Sequence, residues 1–543
     1  MSEVSGEPPR EEELLNELKS ELWDAADTLR SDSGLRSYEY STPILGILFH
    51  RFSSECFTGG KYSIEEKDKF NNLKNELNNY SEESIGDEFT GKELGLKLNL
   101  IMGSIEDLNP QLKDTLYKNY DNLEYHVLKG IIEQFSNIFE KYANFLGEVP
   151  VSVFSETYEY LLGKFARSEG QRGGEFHTPD VLIEVLLEVL RPDNSVRKIG
   201  DYFVGAGRMF SKTTSWMKEN EYDVSQLEFY GQDKVKECIA LSAMTLSLNE
   251  ASYNTKSFET IAGNTFYEDK IEHGKPFDLY LSNPPFNVDK VVKRFEKDEK
   301  LLKNEKRLFY GQLPSTDKAN FIAVQYFIDS IHPKHGRAGV VLPNCVNDSA
   351  AGKKIRKLML EDDLMLAVIT MPGKLFANAS LSSSFWFLDR GKKSNPKVKG
   401  KTLLINATEY YVRKDKKFND LTSTQKVTLG NIVALFEGKE LNLKEADYDA
   451  ELTELGFKKK NGEFVYHDIR GLCKAVTLEQ VLELEVKHDE PDVLINPGLH
   501  VGIELKPLPE QEYNERHKEY KNEFDNAWDS LSNSVERLKK KWK

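Results

Sequence analysis

Apolar residues recur at helical spacing in the first part of the chain. From residue 11 to residue 29 they follow the period of an amphipathic helix and are Leu14, Leu15, Leu18, Leu22, Ala25, Ala26 and Leu29. Similar spacing continues from residue 128 to residue 145, and glycine and proline at positions 147–150 interrupt it. The pattern predicts an all-α domain over residues 1–150.

Short apolar runs replace the helical pattern after residue 190. Four successive runs end in polar or glycine residues and predict strands at 198–203, 227–233, 257–261 and 278–283. Later runs predict further buried strands at 338–343, 366–371 and 383–388. Strands that alternate with helices are typical of an α/β fold with a parallel sheet. We place this domain at residues 151–430, and a C-terminal region with a helical tail at residues 431–543.

The composition limits the functions open to this chain. Its 543 residues predict two or three domains. The formal net charge of −16 argues against independent binding to DNA, because phosphate affinity comes from clustered lysine and arginine. The four cysteines are dispersed without a Cys-x-x-Cys pair, which indicates reduced thiols and makes a zinc site improbable. An acidic, polar amino terminus and no apolar run of membrane length predict a cytoplasmic protein without a membrane partner.

Asn283 ends the fourth predicted strand and is followed by Pro284, Pro285 and Phe286. Both prolines lack a backbone N–H and have a fixed φ, so the turn is stiff and the asparagine amide is held in one direction. The amide oxygen and the Pro284 carbonyl are two acceptors for an exocyclic amine, and the Phe286 ring is a face on which a planar base can stack. These four residues alone leave a second interpretation open, an ordinary turn that ends a strand.

Glycine and polar residues follow the other three strands. Gly205 and Gly207 permit positive φ and a close backbone approach to a ligand, at the strand end where open α/β sheets bind nucleosides. Asp233 ends the second strand at the spacing of a carboxylate that binds ribose hydroxyls. The third strand leads to Asn264. No Gly-Lys-Ser/Thr loop is present, which argues against a nucleoside triphosphate site.

In combination these motifs resemble those of amino-methyltransferases that use S-adenosyl-L-methionine (SAM). Residues 201–207, Asp-Tyr-Phe-Val-Gly-Ala-Gly, are similar to the SAM motif, and residues 283–286 resemble the catalytic motif. Residues 174–179 precede the glycine loop, an order similar to that of the gamma-class adenine-N6 DNA methyltransferases. The resemblance implies a Rossmann-like mixed sheet with helices on both faces and methyl transfer to the adenine amine in DNA. It also implies SAM-binding roles for Glu175, Phe176, Thr178, Pro179, Asp201, Phe203, Gly205, Gly207, Asp233 and Asn264.

Segments outside the catalytic core narrow this resemblance. Residues 22–30 and 38–52 resemble the helical amino-terminal domain of the methylation subunit of type I restriction-modification systems, and residues 496–502 resemble the segment ahead of its carboxyl-terminal helices. The resemblance implies that the chain works with DNA, a specificity subunit, a second copy of itself and a restriction subunit. It also implies that the helical tail packs on the specificity subunit.

Two positions depart from the family pattern. Arg208 stands where the loop usually ends in glycine, and Asn264 stands where an aspartate commonly binds the cofactor's adenine amine. We expect either weaker SAM binding or an Arg208 that supports a carboxylate of the cofactor. The same departures motivate an alternative function, an assembly subunit with weak or no catalytic activity.

The substrate of the methyl transfer is open to two further interpretations. A protein-glutamine methyltransferase would also carry Asn-Pro-Pro, although such enzymes are shorter, and a cytosine-N4 methyltransferase normally has serine in place of Asn283.

The segment 301–317 is basic and contains Lys303, Lys306 and Arg307. This segment either binds DNA phosphates or is a surface loop.

Overall fold

The structure is a computed structural model and describes residues 11–33, 37–57, 61–77, 87–148, 152–168, 178–271, 276–316, 318–376, 382–414, 418–483 and 493–502, together with Lys518, Lys521 and Trp528. Two compact units divide the chain, residues 1–501 and residues 502–543. The predicted helical tail belongs to the second unit. It lies outside the described residues apart from Lys518, Lys521 and Trp528.

Helices form the first part of the chain. They are α1 (Glu11–Ser33), α2 (Ser37–Cys56), α3 (Phe70–Glu76), α4 (Asp87–Leu108), α5 (Tyr125–Lys141), α6 (Ala143–Glu148) and α7 (Ser152–Ser168). Their apolar faces pack together, and the predicted pattern of α1 places Leu18, Leu22 and Ala26 in the core. Helices α2 and α7 also pack against a helix of the following α/β part, so one hydrophobic core extends through both.

A mixed sheet is the centre of the rest of the chain. Its strands are β1 (Lys198–Asp201), β2 (Glu228–Asp233), β3 (Ser257–Ala262), β4 (Leu279–Ser282), β5 (Arg337–Pro343), β6 (Met365–Thr370), β7 (Ser383–Asp389), β8 (Lys401–Asn406) and β13 (Cys473–Thr477). Four short strands form two separate hairpins, β9 (Val412–Arg413) with β10 (Asn419–Asp420) and β11 (Lys458–Lys460) with β12 (Glu463–Val465).

The order across the sheet is β13, β8, β6, β7, β5, β4, β1, β2, β3. Strands β1 to β5 are parallel, and β7 lies antiparallel between β5 and β6, so β6 again points in the direction of β4. The carboxyl ends of β1, β2, β3, β4 and β6 therefore lie at one edge. This arrangement confirms the predicted α/β fold with a mixed sheet, preceded by helices.

Helices cover both faces of the sheet. They are α8 (Asp180–Leu190), α9 (Arg208–Glu219), α10 (Lys236–Tyr253), α11 (Val291–Lys297), α12 (Glu299–Asn304), α13 (Asn320–Ser330), α14 (Lys353–Glu361), α15 (Ser423–Glu437), α16 (Ala446–Glu454), α17 (Leu478–Leu482) and α18 (Pro497–His500). Alternate side chains of each strand enter opposite cores: Phe385 and Phe387 enter one, and Trp386 and Leu388 enter the other.

The predicted boundary at residue 430 lies within α15, whose residues 427–437 are buried. Farther along the chain, β13 pairs with β8 at an edge of the main sheet. The first part of region 431–543 thus shares the sheet and core of the α/β part, because α15 covers α8 and β13 completes the strand order. Many of the residues after position 430 are lysine and glutamate, which lie mainly on the exposed faces of these elements. The composition therefore did not predict that the opposite faces are buried.

Within the described residues, no helix is both long and apolar enough to cross a membrane. The same part of the chain holds no group of three histidine, cysteine, aspartate or glutamate residues arranged for a metal ion.

Candidate active site

Four neighbouring strands bring the predicted site residues to one edge of the sheet. Strands β4, β1, β2 and β3 are adjacent and parallel, and each ends where the sequence turns polar or glycine-rich. A cavity of about 260 Å³ opens at this edge. Its lining includes five predicted site residues, Phe203, Asp233, Asn264, Asn283 and Pro285.

The glycine loop between β1 and α9 has the left-handed backbone that its sequence suggested. The φ angles of Gly205 and Gly207 are +52° and +79°. A Cβ atom on Gly207 would also lie 3.2 Å from the Cα of Ser242, so both conformation and space favour glycine there. The Gly205 N–H donates to Asp233 Oδ2 over 3.2 Å, which joins the loop to the end of β2.

Asp233 is in a position to bind a donor in the cavity. Its Oδ1 accepts a hydrogen bond from the Val235 N–H (3.0 Å) and its Oδ2 accepts from Gly205, which fixes the plane of the carboxylate. Across the cavity lining, Asn264 Oδ1 accepts a hydrogen bond from the Phe266 N–H over 3.2 Å, and an amide oxygen has a second lone pair with which it can accept another.

Asp201 lies behind the loop and is only 1% exposed. Its Oδ1 accepts hydrogen bonds from the Ser282 hydroxyl (2.6 Å) and from the Phe203 N–H (2.9 Å). It therefore links the end of β1 to the residue before Asn283. Burial raises the pKa of this carboxyl to about 8, against the two hydrogen bonds, which lower it.

We expect Asp201→Asn to remove a pH dependence of stability. The folded-state pKa of Asp201 lies above its ordinary value of 3.8, so its protonated form is favoured by folding, and this contribution is lost as the pH rises toward about 8. The uncharged amide avoids this loss. Thermal melts of both proteins between about pH 5 and pH 8 test the prediction: the melting temperature of the variant should rise relative to that of wild type with pH. Parallel curves would contradict it.

The amide of Asn283 is oriented as the sequence predicted, but by an additional partner. Its Nδ2 donates to Thr178 Oγ1 over 3.2 Å. Its Oδ1 is buried and has no hydrogen-bond partner within the described part of the chain. A buried acceptor left unpaired is costly, so this oxygen is a place where a ligand donor would bind favourably.

An aromatic partner stands beside Phe286. The ring centroids of Phe286 and Phe376 are 5.9 Å apart, with an interplanar angle of 77°. Phe376 lies in the segment after β6. The direction of β6 explains this position, since β6 ends at the same edge as β4. Knowledge of the strand order would have identified Phe376, whereas its local sequence gives no signal.

Two asparagines, Asn287 and Asn320, form hydrogen bonds with each other just after the predicted catalytic turn. Asn287 has a left-handed φ of +55°. Its N–H donates to Asn320 Oδ1, and the Asn320 amide donates to Asn287 Oδ1, both over 2.9 Å. This reciprocal contact anchors the turn to the first residue of α13. It joins residues 33 positions apart, which the sequence did not indicate.

Arg208 is not among the residues that line the cavity. Its guanidinium forms an ion pair with Asp180, the first residue of α8, and donates to the Glu159 carbonyl over 2.9 Å. The side chain is buried among α7, α8 and α9. The charge of Arg208 is thus paired with Asp180, and support of a cofactor carboxylate by Arg208 stays a prediction.

Three other expectations concern residues near the turn. Glu175 and Phe176 lie outside the described residues, whereas Thr178 and Pro179 lie directly before α8. Arg307 does not grip DNA, because it is buried and forms an ion pair with Glu305. Part of the segment that begins at residue 301 is helical, in α12, and Lys303 and Lys306 are exposed.

Comparison with known proteins assigns both parts of the chain. The family model for N-6 DNA methylases matches residues 151–491, and the model for the HsdM N-terminal domain matches residues 18–135. A type I restriction enzyme methylase subunit from Methanocaldococcus jannaschii is 28% identical over 97% of this chain and 91% of its own length. Another, from Haemophilus influenzae, is 26% identical over 78% of this chain and 86% of its own length.

Solved structures show the same fold. A type I restriction-modification methyltransferase subunit from Streptococcus thermophilus superimposes with a TM-score of 0.62 and 18% identity, over 86% of this chain and 97% of that one. A chain from a study of complex assembly in a type I restriction-modification system superimposes with a TM-score of 0.58 and 18% identity, over 96% and 98% of the two chains.

Proposed function

Because this chain belongs to the N-6 DNA methylase family, we propose that the cavity and turn at its sheet edge perform adenine-N6 methylation of DNA. The chain is the methylation subunit of a type I restriction-modification system. The observation that carries the assignment of the site is the buried Oδ1 of Asn283, which has no hydrogen-bond partner among the described residues and lies beside a cavity and an aromatic pair.

The residues around the cavity fit SAM. Asp233 would accept hydrogen bonds from the ribose hydroxyls, and Asn264 would accept one from the adenine amine without assistance from a charge. Gly205 and Gly207 have positive φ angles and no side chains, which would let a ligand approach the loop backbone closely. When bound, SAM supplies a methyl group on a positively charged sulfur. Glu175, Phe176, Thr178 and Pro179 remain proposed neighbours of its methionine end.

Asp233→Asn should weaken SAM binding by roughly 10- to 100-fold, because a hydrogen bond to a charged group contributes about 1.5–3 kcal/mol. The amide keeps the shape of the carboxylate and loses its charge. Isothermal titration with SAM measures the change. Asp223→Asn is the matched control, since Asp223 is exposed and precedes β2, at the opposite end of the strand. Equal SAM affinity in the two variants would contradict the role of Asp233.

The target adenine would leave the duplex to reach the turn, because its amine is inaccessible within stacked DNA. Phe286 would stack on the base, and the edge of the nearby Phe376 ring would confine it. Asn283 Oδ1 and the Pro284 carbonyl would accept hydrogen bonds from the amine. These acceptors stabilise the positive charge that develops on the nitrogen as it is methylated, and Thr178 keeps the amide in the required orientation.

We infer that this chain binds DNA together with a specificity subunit and a second copy of itself, that a restriction subunit joins the complex, and that the complex works in the cytoplasm. Its net charge of −16 supports dependence on a partner for DNA affinity. The relatives cited above are themselves subunits of type I restriction enzymes.

Transfer of labelled methyl from SAM to unmethylated DNA tests the proposal. The chain is assayed with and without its specificity subunit, and the product is analysed as nucleosides. We expect labelled N6-methyladenine only when the partner is present. Absence of label with a complex that binds DNA would favour an assembly subunit without catalytic activity, and label in protein would favour a protein-glutamine methyltransferase.

A further inference from the structure

The solvent side of α11 and α12 carries a group of cations that the proposed function leaves unassigned. Residues 290–306 contain seven lysines and arginines and four acidic residues, in a chain whose net charge is −16. All seven cations are exposed, namely Lys290, Lys293, Arg294, Lys297, Lys300, Lys303 and Lys306. We call this group the cationic face.

Packing of the two helices fixes the direction of the cationic face. Val291, Val292 and Phe295 of α11 are buried in the core on one side of the sheet, and Leu301 and Leu302 of α12 pack against the same core. The intervening charged positions must therefore point to solvent. Glu305 is only 6% exposed and forms an ion pair with Arg307, whereas the other three acidic residues of the segment, Glu296, Asp298 and Glu299, are exposed. Seven exposed cations therefore outnumber three exposed acids, and the face has an excess of positive charge.

The cationic face is continuous with the mouth of the active-site cavity. Val288, Asp289 and Val291 line the cavity, so the face begins at its rim. The Arg294 guanidinium lies 4.0 Å from the ring centroid of Tyr267, another lining residue. A strand that extends outward from a base bound at Asn283 toward this side would pass Asp289, which is paired with Lys318, and then reach the lysines and the arginine of the cationic face.

We propose that the cationic face binds the phosphate backbone of the DNA that flanks the extruded adenine. This inference rests on the proposed function and adds the surface along which the duplex would lie. Lysines on a helix attract phosphates without reading the bases, so the contact would contribute affinity and register, and sequence choice would come from elsewhere. It also explains how a chain with excess negative charge contributes to DNA binding through a local surface.

Salt dependence separates phosphate contacts from other effects of charge. The test variant replaces Lys290, Lys297, Lys300 and Lys303 by glutamine, and Arg294 is left intact because it contacts the cavity lining. The control variant also replaces four exposed lysines by glutamine, but elsewhere in the chain, at Lys354, Lys357, Lys458 and Lys460. Both variants lose the same total charge, and both are assembled with the specificity subunit.

DNA dissociation constants are measured over a series of salt concentrations. Each phosphate contact that is lost lowers the slope of log affinity against log salt by about 0.9. We expect the test variant to lower it by about two to four and to bind specific and non-specific DNA at least about tenfold more weakly, while the control keeps the wild-type slope. SAM affinity and assembly with the specificity subunit should equal those of wild type.

Equal slopes in all three proteins would overturn the proposal. Loss of assembly in the test variant alone would also overturn it, since the face would then bind an acidic protein surface. Failure of the proposed function is a separate outcome: the wild-type complex would then bind DNA and leave adenine unmethylated, whatever the slopes of the variants.

Discussion

Asn283→Ala abolishes methyl transfer and leaves SAM binding largely intact. The substitution removes the buried Oδ1 that has no partner in the described structure, together with the Nδ2 that donates to Thr178. Loss of one preorganised polar group that stabilises a transition state typically lowers kcat by about 10²- to 10³-fold. Because the target amine here also loses its orientation, we expect kcat to decrease by at least about 10³-fold.

Single-turnover methylation and SAM titration of the same protein measure the two effects separately. Thr178→Val is an informative companion variant, because it removes the hydroxyl that accepts from the Asn283 amide and leaves Oδ1 in place. We expect Thr178→Val to lower kcat by a smaller factor than Asn283→Ala does. Transfer at the wild-type rate by Asn283→Ala would exclude the turn as the catalytic element, whereas loss of SAM binding would assign Asn283 to the cofactor.

Arg208→Ala lowers the free energy of unfolding by about 1.5–3 kcal/mol, the typical contribution of a hydrogen bond to a charged group, because the guanidinium is buried while the carboxylate of Asp180 is partly exposed. The substitution leaves the carboxylate of Asp180 and the Glu159 carbonyl without the guanidinium. The pKa of Glu159, which burial raises and Arg208 lowers, should rise further in this variant. Chemical denaturation followed by fluorescence measures the stability change.

Lys212→Ala is the control for this prediction. Lys212 approaches the other oxygen of Asp180 at 3.8 Å from the same helix, but its side chain is 26% exposed. Partly exposed ion pairs usually contribute less than about 1 kcal/mol. A combined Arg208→Met and Asp180→Asn variant should recover part of the lost stability, since both charges are then absent. Equal destabilisation by Arg208→Ala and Lys212→Ala would contradict the assigned role of the Arg208–Asp180 pair.

Helix α8 also connects the ion pair to the proposed catalytic turn. Asp180 begins this helix two residues after Thr178, which accepts the hydrogen bond from Asn283. The arginine that departs from the glycine-loop pattern therefore supports the turn from behind and leaves the cavity open. Of the two departures that suggested an inactive assembly subunit, Arg208 therefore has a structural partner of its own, whereas Asn264 lines the cavity.

The sequence by itself determined the features that depend on neighbouring residues. Glycines at 205 and 207 predicted a left-handed loop, because few other residues adopt that backbone without strain. Two prolines after Asn283 predicted a stiff turn, and short apolar runs predicted strands β1 to β7. The order of polar strand ends was sufficient to predict which of them would share a parallel edge, since consecutive parallel strands place their carboxyl ends together.

Only the tertiary structure decided the contacts between distant segments. The antiparallel insertion of β7 turns β6 toward the active edge and brings Phe376 to Phe286, and α13 supplies Asn320 to Asn287. The sequence likewise did not show which charged residues are buried. Arg307 lies in the core with Glu305, whereas the lysines of α11 and α12 are exposed to solvent. Such outcomes depend on which helix face the sheet covers, and that choice is made by packing of the whole domain.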